Sequence, residues 1–376
     1  ASDWSSDVCS SDLLTSMQSS SVTPTASSVA ARLMLEAGWE CLGCTMKLFY
    51  NEDAGVAPDR TCCSLDDVED AKSVAYRLGI PHYTFNFSED FRAQVMDKFA
   101  QCYLSGRTPN PCMDCNQFLK FGKLLERARV LGCDCVVTGH YARIREAESG
   151  FRLEKGLDPQ KDQSYFLYML TQDQLAHVRF PLGELTKEEA RALAEQWGFR
   201  NAHKPDSQDI CFVPDGDYAA AIRTITGKEP TPGDFVDKTG KVLGKHKGLI
   251  CYTVGQHRGL GIDLPGKRYV TALDPIANTV NLGELEDLFT REAALESVTW
   301  CAGTAPTEPV PCRVKIRYRH REQPATVYPG PEGTARVVFE EPQRAVTPGQ
   351  AAVFYDGDIV LGGGTIVQRT REGEHC

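Results

Sequence analysis

Residues 116–140 read NQFLKFGKLLERARVLGCDCVVTGH. Phe118, Phe121, Leu124 and Leu125 recur at helical spacing, with Asn116 placed as an N-cap and Gly132 as a stop. The short apolar run Cys135-Val136-Val137-Thr138 follows and ends in Gly139-His140. The same alternation extends to both sides. Ser27 and Ser28 can cap a helix through Val29 to Met34 that Gly38 ends, and a strand-like stretch runs from Trp39 to Phe49. Ser64-Leu65-Asp66-Asp67 resembles a capping box whose helix stops at Gly79, before strand-like Ile80 to Phe87. Thr186-Lys187-Glu188-Glu189 opens another capped helix, through Trp197 to Gly198. Helix and strand in strict alternation predict a parallel sheet with helices on both faces. Ligands of such sheets bind beyond the carboxyl ends of the strands, which singles out Gly139, His140 and the loop after Met46.

Beyond about residue 235 the texture changes to short segments broken by Gly and Pro, among them Tyr269 to Leu273, Arg313 to Tyr318, Ala335 to Phe339 and Ala351 to Phe354. That spacing predicts a β-barrel or sandwich. At 376 residues, two or three domains are expected. Residues 1–21 repeat Ser-Asp units and end in a serine tract. They are expected to be disordered and do not resemble a natural domain start.

No apolar run reaches membrane-spanning length and no signal peptide is visible, so a cytoplasmic protein is expected. The net charge is −10, from 41 basic and 51 acidic side chains, which argues mildly against a nucleic-acid partner overall but permits a local basic face. The 15 cysteines, without a secretory signal, predict reduced thiols. Cys41, Cys44, Cys133, Cys135 and Cys251 sit in apolar contexts and read as buried.

Three segments carry candidate chemistry. Cys112-Met113-Asp114-Cys115 lies between prolines and a predicted helix start, where a thiolate is favoured. It lacks the second pair that a zinc ribbon needs, and two incidental cysteines are the plain alternative. Cys211 alone reads as a core thiol, and Lys161-Asp162-Gln163-Ser164 as a surface turn. Arg313-Val314-Lys315-Ile316-Arg317-Tyr318-Arg319, as a strand, sets four cations on one face, which suits RNA slightly better than a charge-guarded edge strand.

Taken together, five ordered segments resemble the tRNA-specific 2-thiouridylase family of the PP-loop ATP pyrophosphatases. They are Thr108 to Gly122, Thr138 to Arg143, Lys161 to Leu167, Ser207 to Phe212 and Tyr252 to Gly259. The resemblance implies a parallel-sheet catalytic domain over 22–215, a central domain over 216–288 and a C-terminal β-barrel over 289–376. It implies ATP-dependent 2-thiolation of the wobble uridine of tRNA, with Mg2+ and a persulfide relay protein as sulfur donor. Cys211 would receive the persulfide sulfur and Cys115 would release it, leaving the two disulfide-linked. Met46 and Gly139 would line the adenosine site, and His140, Lys161, Asp162, Gln163, Arg317, Tyr318 and Gln350 would contact tRNA.

Two departures stand out. The family's Ser-Gly-Gly-Val-Asp-Ser-Ser phosphate loop aligns with Val22-Thr23-Pro24-Thr25-Ala26-Ser27-Ser28. Pro24 removes an amide donor, the glycines are missing, serines replace the preceding strand, and only Ser27 and Ser28 remain. Weak or absent ATP binding is expected. Cys112 replaces an Asp of many relatives, and with Cys115 and Cys211 it supplies three thiolates that could hold an iron–sulfur cluster. The rival readings are a tRNA-binding protein that has lost catalysis, a small-molecule ATP pyrophosphatase, and a thiol–disulfide oxidoreductase.

Overall fold

A computed structural model describes residues 12–18, 24–50, 65–199, 210–213 and 215–367. They fall into two compact units, one drawing on residues up to 51, 56–92 and 112–214, the other on 93–111 and 215 onward.

The first unit is built on a five-stranded parallel sheet. Its strands are β1 (Asp12–Gln18), β2 (Glu40–Lys47), β3 (His82–Asn86), β4 (Cys135–Val137) and β7 (Val178–Arg179), in the order β3-β2-β1-β4-β7. All three residues of β4 are buried, as its uninterrupted apolar run predicts for a parallel strand covered on both faces. One face carries α1 (Pro24–Glu36) and the helices Leu65–Leu78 and Lys187–Gln196. Val29, Ala30 and Met34 of α1 pack there with Val74, Ala75, Val137, Ala190 and Ala194. Thr186 closes the expected capping box, its hydroxyl accepting from Glu189 N at 3.2 Å and the Glu189 carboxylate accepting from Thr186 N at 2.7 Å. A hairpin of β5 (Ala142–Ala147) and β6 (Gly150–Lys155) follows β4.

The structure corrects several expectations. Residues 12–18 of the supposed leader form the central strand, paired with β2 on one side and β4 on the other. Hydrogen bonding along both edges holds a backbone whose composition alone looks unstructured. Ser27 and Ser28 lie inside α1 rather than capping it, because the helix already starts at Pro24, a residue suited to a first turn. Asn116 is likewise internal. The run Cys115–Lys123 is wound as a π-helix that continues as α-helix over Leu124–Val130. The Ser64 capping box lies outside the described residues.

The second unit holds a four-stranded sheet and a barrel. The sheet comprises β8 (Gly233–Val236), β9 (Val242–His246), β10 (Tyr269–Asp274) and β11 (Thr279–Gly283), in the order β10-β11-β8-β9. The barrel comprises β12 (Phe289–Trp300), β13 (Val310–Lys315), β14 (Gln323–Pro329), β15 (Ala335–Arg344), β16 (Ala351–Asp356) and β17 (Ile359–Ile366). They run in the order β12-β15-β14-β13-β16-β17, and pairing of β12 with β17 closes the ring. Val314, Val327, Val337, Phe339 and Phe354 fill its interior. Residues 93–111, which chain order assigns to the catalytic domain, pack in this unit instead. Phe99 and Tyr103 find aromatic partners in Tyr218, with ring centroids 6.2 and 6.1 Å away. Thr108 N donates to Pro348 O at 2.8 Å. Among the described residues, no helix is long and apolar enough to cross a membrane.

Candidate functional site

The carboxyl end of the parallel sheet gathers the candidate thiols of the first unit. β4 runs into Thr138-Gly139-His140, and the His140 ring packs against Phe121 of the π-helix at 5.7 Å and Phe180 at 5.6 Å. That contact fixes the helix, and Cys115 at its start, to the end of the strand. β2 runs into Leu48 and Phe49, and Phe49 stacks on Phe91 at 5.7 Å. Phe91 meets Phe212 edge-on at 5.8 Å. Phe212 is the residue after Cys211, so both cysteines are tethered to strand ends where open α/β sheets bind ligands.

Cys115 is buried, and Cys112 and Cys211 are half-buried. All three are thiols in this structure rather than partners in disulfides. Burial, then the neighbouring Cys115, pushes the Cys112 thiol up to about 11, with Lys120 pulling weakly the other way. Without a bound metal, Cys112 is therefore a thiol rather than a thiolate at neutral pH. Among the described residues no set of three or more His, Cys, Asp or Glu side chains could hold a metal ion. The expected convergence of Cys112, Cys115 and Cys211 on a cluster is thus not found. Among the other described thiols, burial pushes Cys135 and Cys301 up to about 12, while Cys251, expected to be buried, is half-buried, as are Cys102 and Cys312.

Sequence reasoning missed Lys120. It is fully buried, one π-turn beyond Cys115. In an ordinary α-helix residue i+5 lies about 140° round from residue i, whereas i→i+5 winding brings it back to the same face. Burying an ammonium costs several kcal/mol unless it is compensated (about that order for an ion in a protein interior). Nothing in a one-dimensional pattern distinguishes this lysine from a surface one. Burial, then the charge of Lys120, holds the His140 imidazole well below its ordinary range, so it is neutral. Its Nδ1 lies 2.6 Å from Thr138 Oγ1. Asn116 donates from Nδ2 to Phe166 O at 2.9 Å, while its buried Oδ1 has no partner.

The positions expected to touch tRNA divide. His140 is fully buried and presents no surface in this structure, because the aromatic pair and Thr138 enclose it. Asp162, also buried, accepts from Gly156 N at 3.0 Å, Ser164 N at 3.1 Å and Ser164 Oγ at 2.9 Å. Gln163 is half-buried and bonded to Tyr141, and Lys161 is half-buried in the same loop. In the second unit, the expected strand of alternating cations stops at Lys315, and Arg317 to His320 form a turn. Arg317 and Tyr318 are half-buried there, with Lys315 Nζ 5.5 Å from the Tyr318 ring. Gln350 donates its amide to Thr108 O at 2.8 Å.

The nucleotide side is less complete. Met46 is buried in β2, facing Phe85 across the ladder, and Gly139 is buried after β4. At the start of α1, Ser27 Oγ is fully buried without a hydrogen-bond partner, and Ser28 is buried beside it. An orphaned hydroxyl there fits a phosphate oxygen, but Pro24 offers no N–H.

Three family models match in turn: a tRNA methyl transferase HUP domain over residues 19–215, a tRNA methyl transferase PRC-barrel domain over 222–284, and an aminomethyltransferase beta-barrel domain over 290–366. A tRNA-specific 2-thiouridylase of Magnetococcus marinus is 52% identical over 91% of this chain and 96% of its own length. Proteins of that name from Acetivibrio thermocellus and Clostridioides difficile are 48% and 46% identical over 90% of this chain, and over 96% and 94% of their own. The chain belongs to the tRNA-specific 2-thiouridylase family. The 2-thiouridylase relatives do not echo the methyl-transfer wording of the family descriptions. A solved tRNA thiolase with a [4Fe-4S] cluster, from Methanococcus maripaludis, is 15% identical with a TM-score of 0.33 over 58% of this chain and 71% of its own, too distant a likeness to argue for a cluster here.

Proposed function

We propose that the chain carries out ATP-dependent 2-thiolation of the wobble uridine of tRNA. The observation that carries this reading is a pair of thiols, Cys115 and Cys211, each tethered through aromatic contacts to a strand end of one parallel sheet. A thiol pair suits sulfur transfer, in which one thiol carries the sulfur and the other releases it.

A carbonyl oxygen leaves poorly, and ATP, with Mg2+, supplies the AMP group with which it departs. Cys211 is half-buried and so open to a persulfide donor, whose sulfur it takes as Cys211–S–SH. Cys115 attacks the Cys211 sulfur, the S–S bond to the outer sulfur breaks, and a Cys115–Cys211 disulfide forms. The Cys115 sulfur is oxidised while the outer sulfur is reduced and leaves as hydrosulfide, so the step needs no outside oxidant. The released sulfur takes the place of the oxygen at C2. Ser27 and Ser28 hold the ATP phosphates, and Met46 and Gly139 flank the adenosine. Without the glycine amides this binding is weaker than in relatives whose phosphate loop is intact.

Pro24 and the altered loop favour a second reading, a tRNA-binding protein without thiolation. Nucleoside mass spectrometry of tRNA incubated with the protein, ATP, Mg2+ and a persulfide donor separates the two. Appearance of 2-thiouridine supports the enzyme. tRNA binding without 2-thiouridine supports the alternative.

A further inference from the structure

The segment Tyr252 to Gly259 builds a turn against the barrel. Tyr252 OH donates to Leu260 O at 3.3 Å, Gly255 N to Val270 O at 2.8 Å, and Gln256 Nε2 to Arg258 O at 3.0 Å. Gly255 takes φ +91°, and a Cβ there would lie 3.1 Å from the Cβ of Ala345, just past β15. Only glycine allows the turn to come this close. Val254, Tyr269, Leu288 and Ala345 form a small core along the seam, and Ala345 N donates to Leu288 O at 3.0 Å.

Cations converge on this fixed seam. Lys267 Nζ lies 5.5 Å from the centroid of the Tyr269 ring and the Arg344 guanidinium 5.6 Å from it, while the His257 ring is 5.3 Å away. Arg258, Lys267 and Arg344 are exposed, and among the described residues none has a carboxylate within salt-bridge distance. Glu284 and Glu286 line a cleft with Lys267 and Tyr269, and Glu284 is taken by Arg268 at 2.9 Å. Partial desolvation, then Lys267, Arg258 and Arg344, push the His257 imidazole below its ordinary value. Every charge that reaches it is positive. Arg317 joins the group by donating to Arg344 O at 3.4 Å. Like charges held together on a rigid platform are destabilising unless an anion offsets them.

We propose that His257, Arg258, Lys267 and Arg344, set around Tyr269, grip the phosphate backbone of tRNA without reading base identity. The inference rests on the tRNA reading above. RNA suits the seam better than a protein partner because Tyr269, around which the cations are set, is itself buried, so the group presents charge rather than an aromatic anchor. Phosphate contacts of this kind supply affinity and register, and they are paid back in salt dependence.

The test is fluorescence anisotropy of labelled tRNA with the full chain, without ATP or sulfur donor, across a salt series. Lys267→Ala/Arg344→Ala is expected to weaken binding roughly ten-fold near 0.1 M salt and to flatten the log–log slope by about 1.5–2. Lys267→Arg/Arg344→Lys keeps the slope. So does Arg336→Ala, a barrel cation paired instead with Glu292 and stacked on Tyr328. Thermal melting confirms that each variant is folded. An unchanged slope in the alanine pair, with the parent binding tRNA, overturns the seam proposal alone, and it does so also if the pair instead loses binding to an acidic protein. A parent that does not bind tRNA overturns the tRNA reading and the seam with it.

Discussion

Gln163 closes on Tyr141 from both sides: its Oε1 accepts from Tyr141 N at 2.9 Å, and its own N–H donates to Tyr141 O at 2.9 Å. The contact locks the segment after β4 to the Lys161–Leu167 loop, while Asn116 ties the π-helix to Phe166 of the same loop. Polar side chains that look like a solvent-facing turn are thus occupied in holding backbone.

Gln163→Ala removes the acceptor from Tyr141 N–H and is expected to cost about 1–3 kcal/mol. Gln163→Glu keeps the acceptor and most of the stability. Urea unfolding of the two variants checks this, and an alanine variant as stable as the parent contradicts it.

Asp162 serves three donors, so Asp162→Ala should destabilise more than Gln163→Ala. Asp162→Asn, which keeps one acceptor oxygen, should recover part of the loss. The order of the three unfolding midpoints is the readout.

Cys115→Ser and Cys211→Ser are each expected to reduce 2-thiouridine formation to background. Cys112→Ala should stay within about five-fold of the parent, because among the described residues Cys112 joins no metal-binding set and burial disfavours its thiolate. A background rate for Cys112→Ala would restore a three-cysteine chemistry, and iron analysis would then be decisive.

His320, half-buried, is held at about 4 against an ordinary 6.5 by burial, then by Arg317 and Lys315. Between those values the unfolded chain binds a proton that the fold refuses. Stability is therefore flat above about 6.5 and falls as pH drops towards about 4. NMR titration should place the His320 midpoint near 4, and Arg317→Ala should raise it. A midpoint near 6.5 contradicts the assignment.

The altered phosphate loop predicts weak ATP binding, measurable by calorimetry. Replacing residues 22–28 by Ser-Gly-Gly-Val-Asp-Ser-Ser restores amide donors and should tighten binding at least ten-fold. Equal affinities would show that the lost glycines do not matter.

Much of the first unit was legible because its signals are local. The apolar β4, the Thr186 capping box and the glycine stops at Gly38, Gly79 and Gly198, all with positive φ, depend on residues adjacent in sequence. The misreadings have non-local causes. β1 exists because two neighbours bond its edges, so Ser-rich composition misled. The Arg313 strand ends early because the chain must turn at Arg317. Phe99 and Tyr103 leave their sequence neighbours for Tyr218. At the candidate site, Cys115 and Cys211 were singled out by the family resemblance of their motifs, Cys211 alone reading as a core thiol. The buried Lys120 was not, since its position follows from π-winding that no simple periodicity announces.

The most direct test of the sulfur route is a single turnover with tRNA, ATP and a persulfide donor, quantifying 2-thiouridine and cysteine-containing peptides from one tube. One Cys115–Cys211 disulfide is expected for each 2-thiouridine formed, and neither product in Cys211→Ser. Formation of 2-thiouridine by Cys211→Ser, or without that disulfide, would contradict the sulfur route.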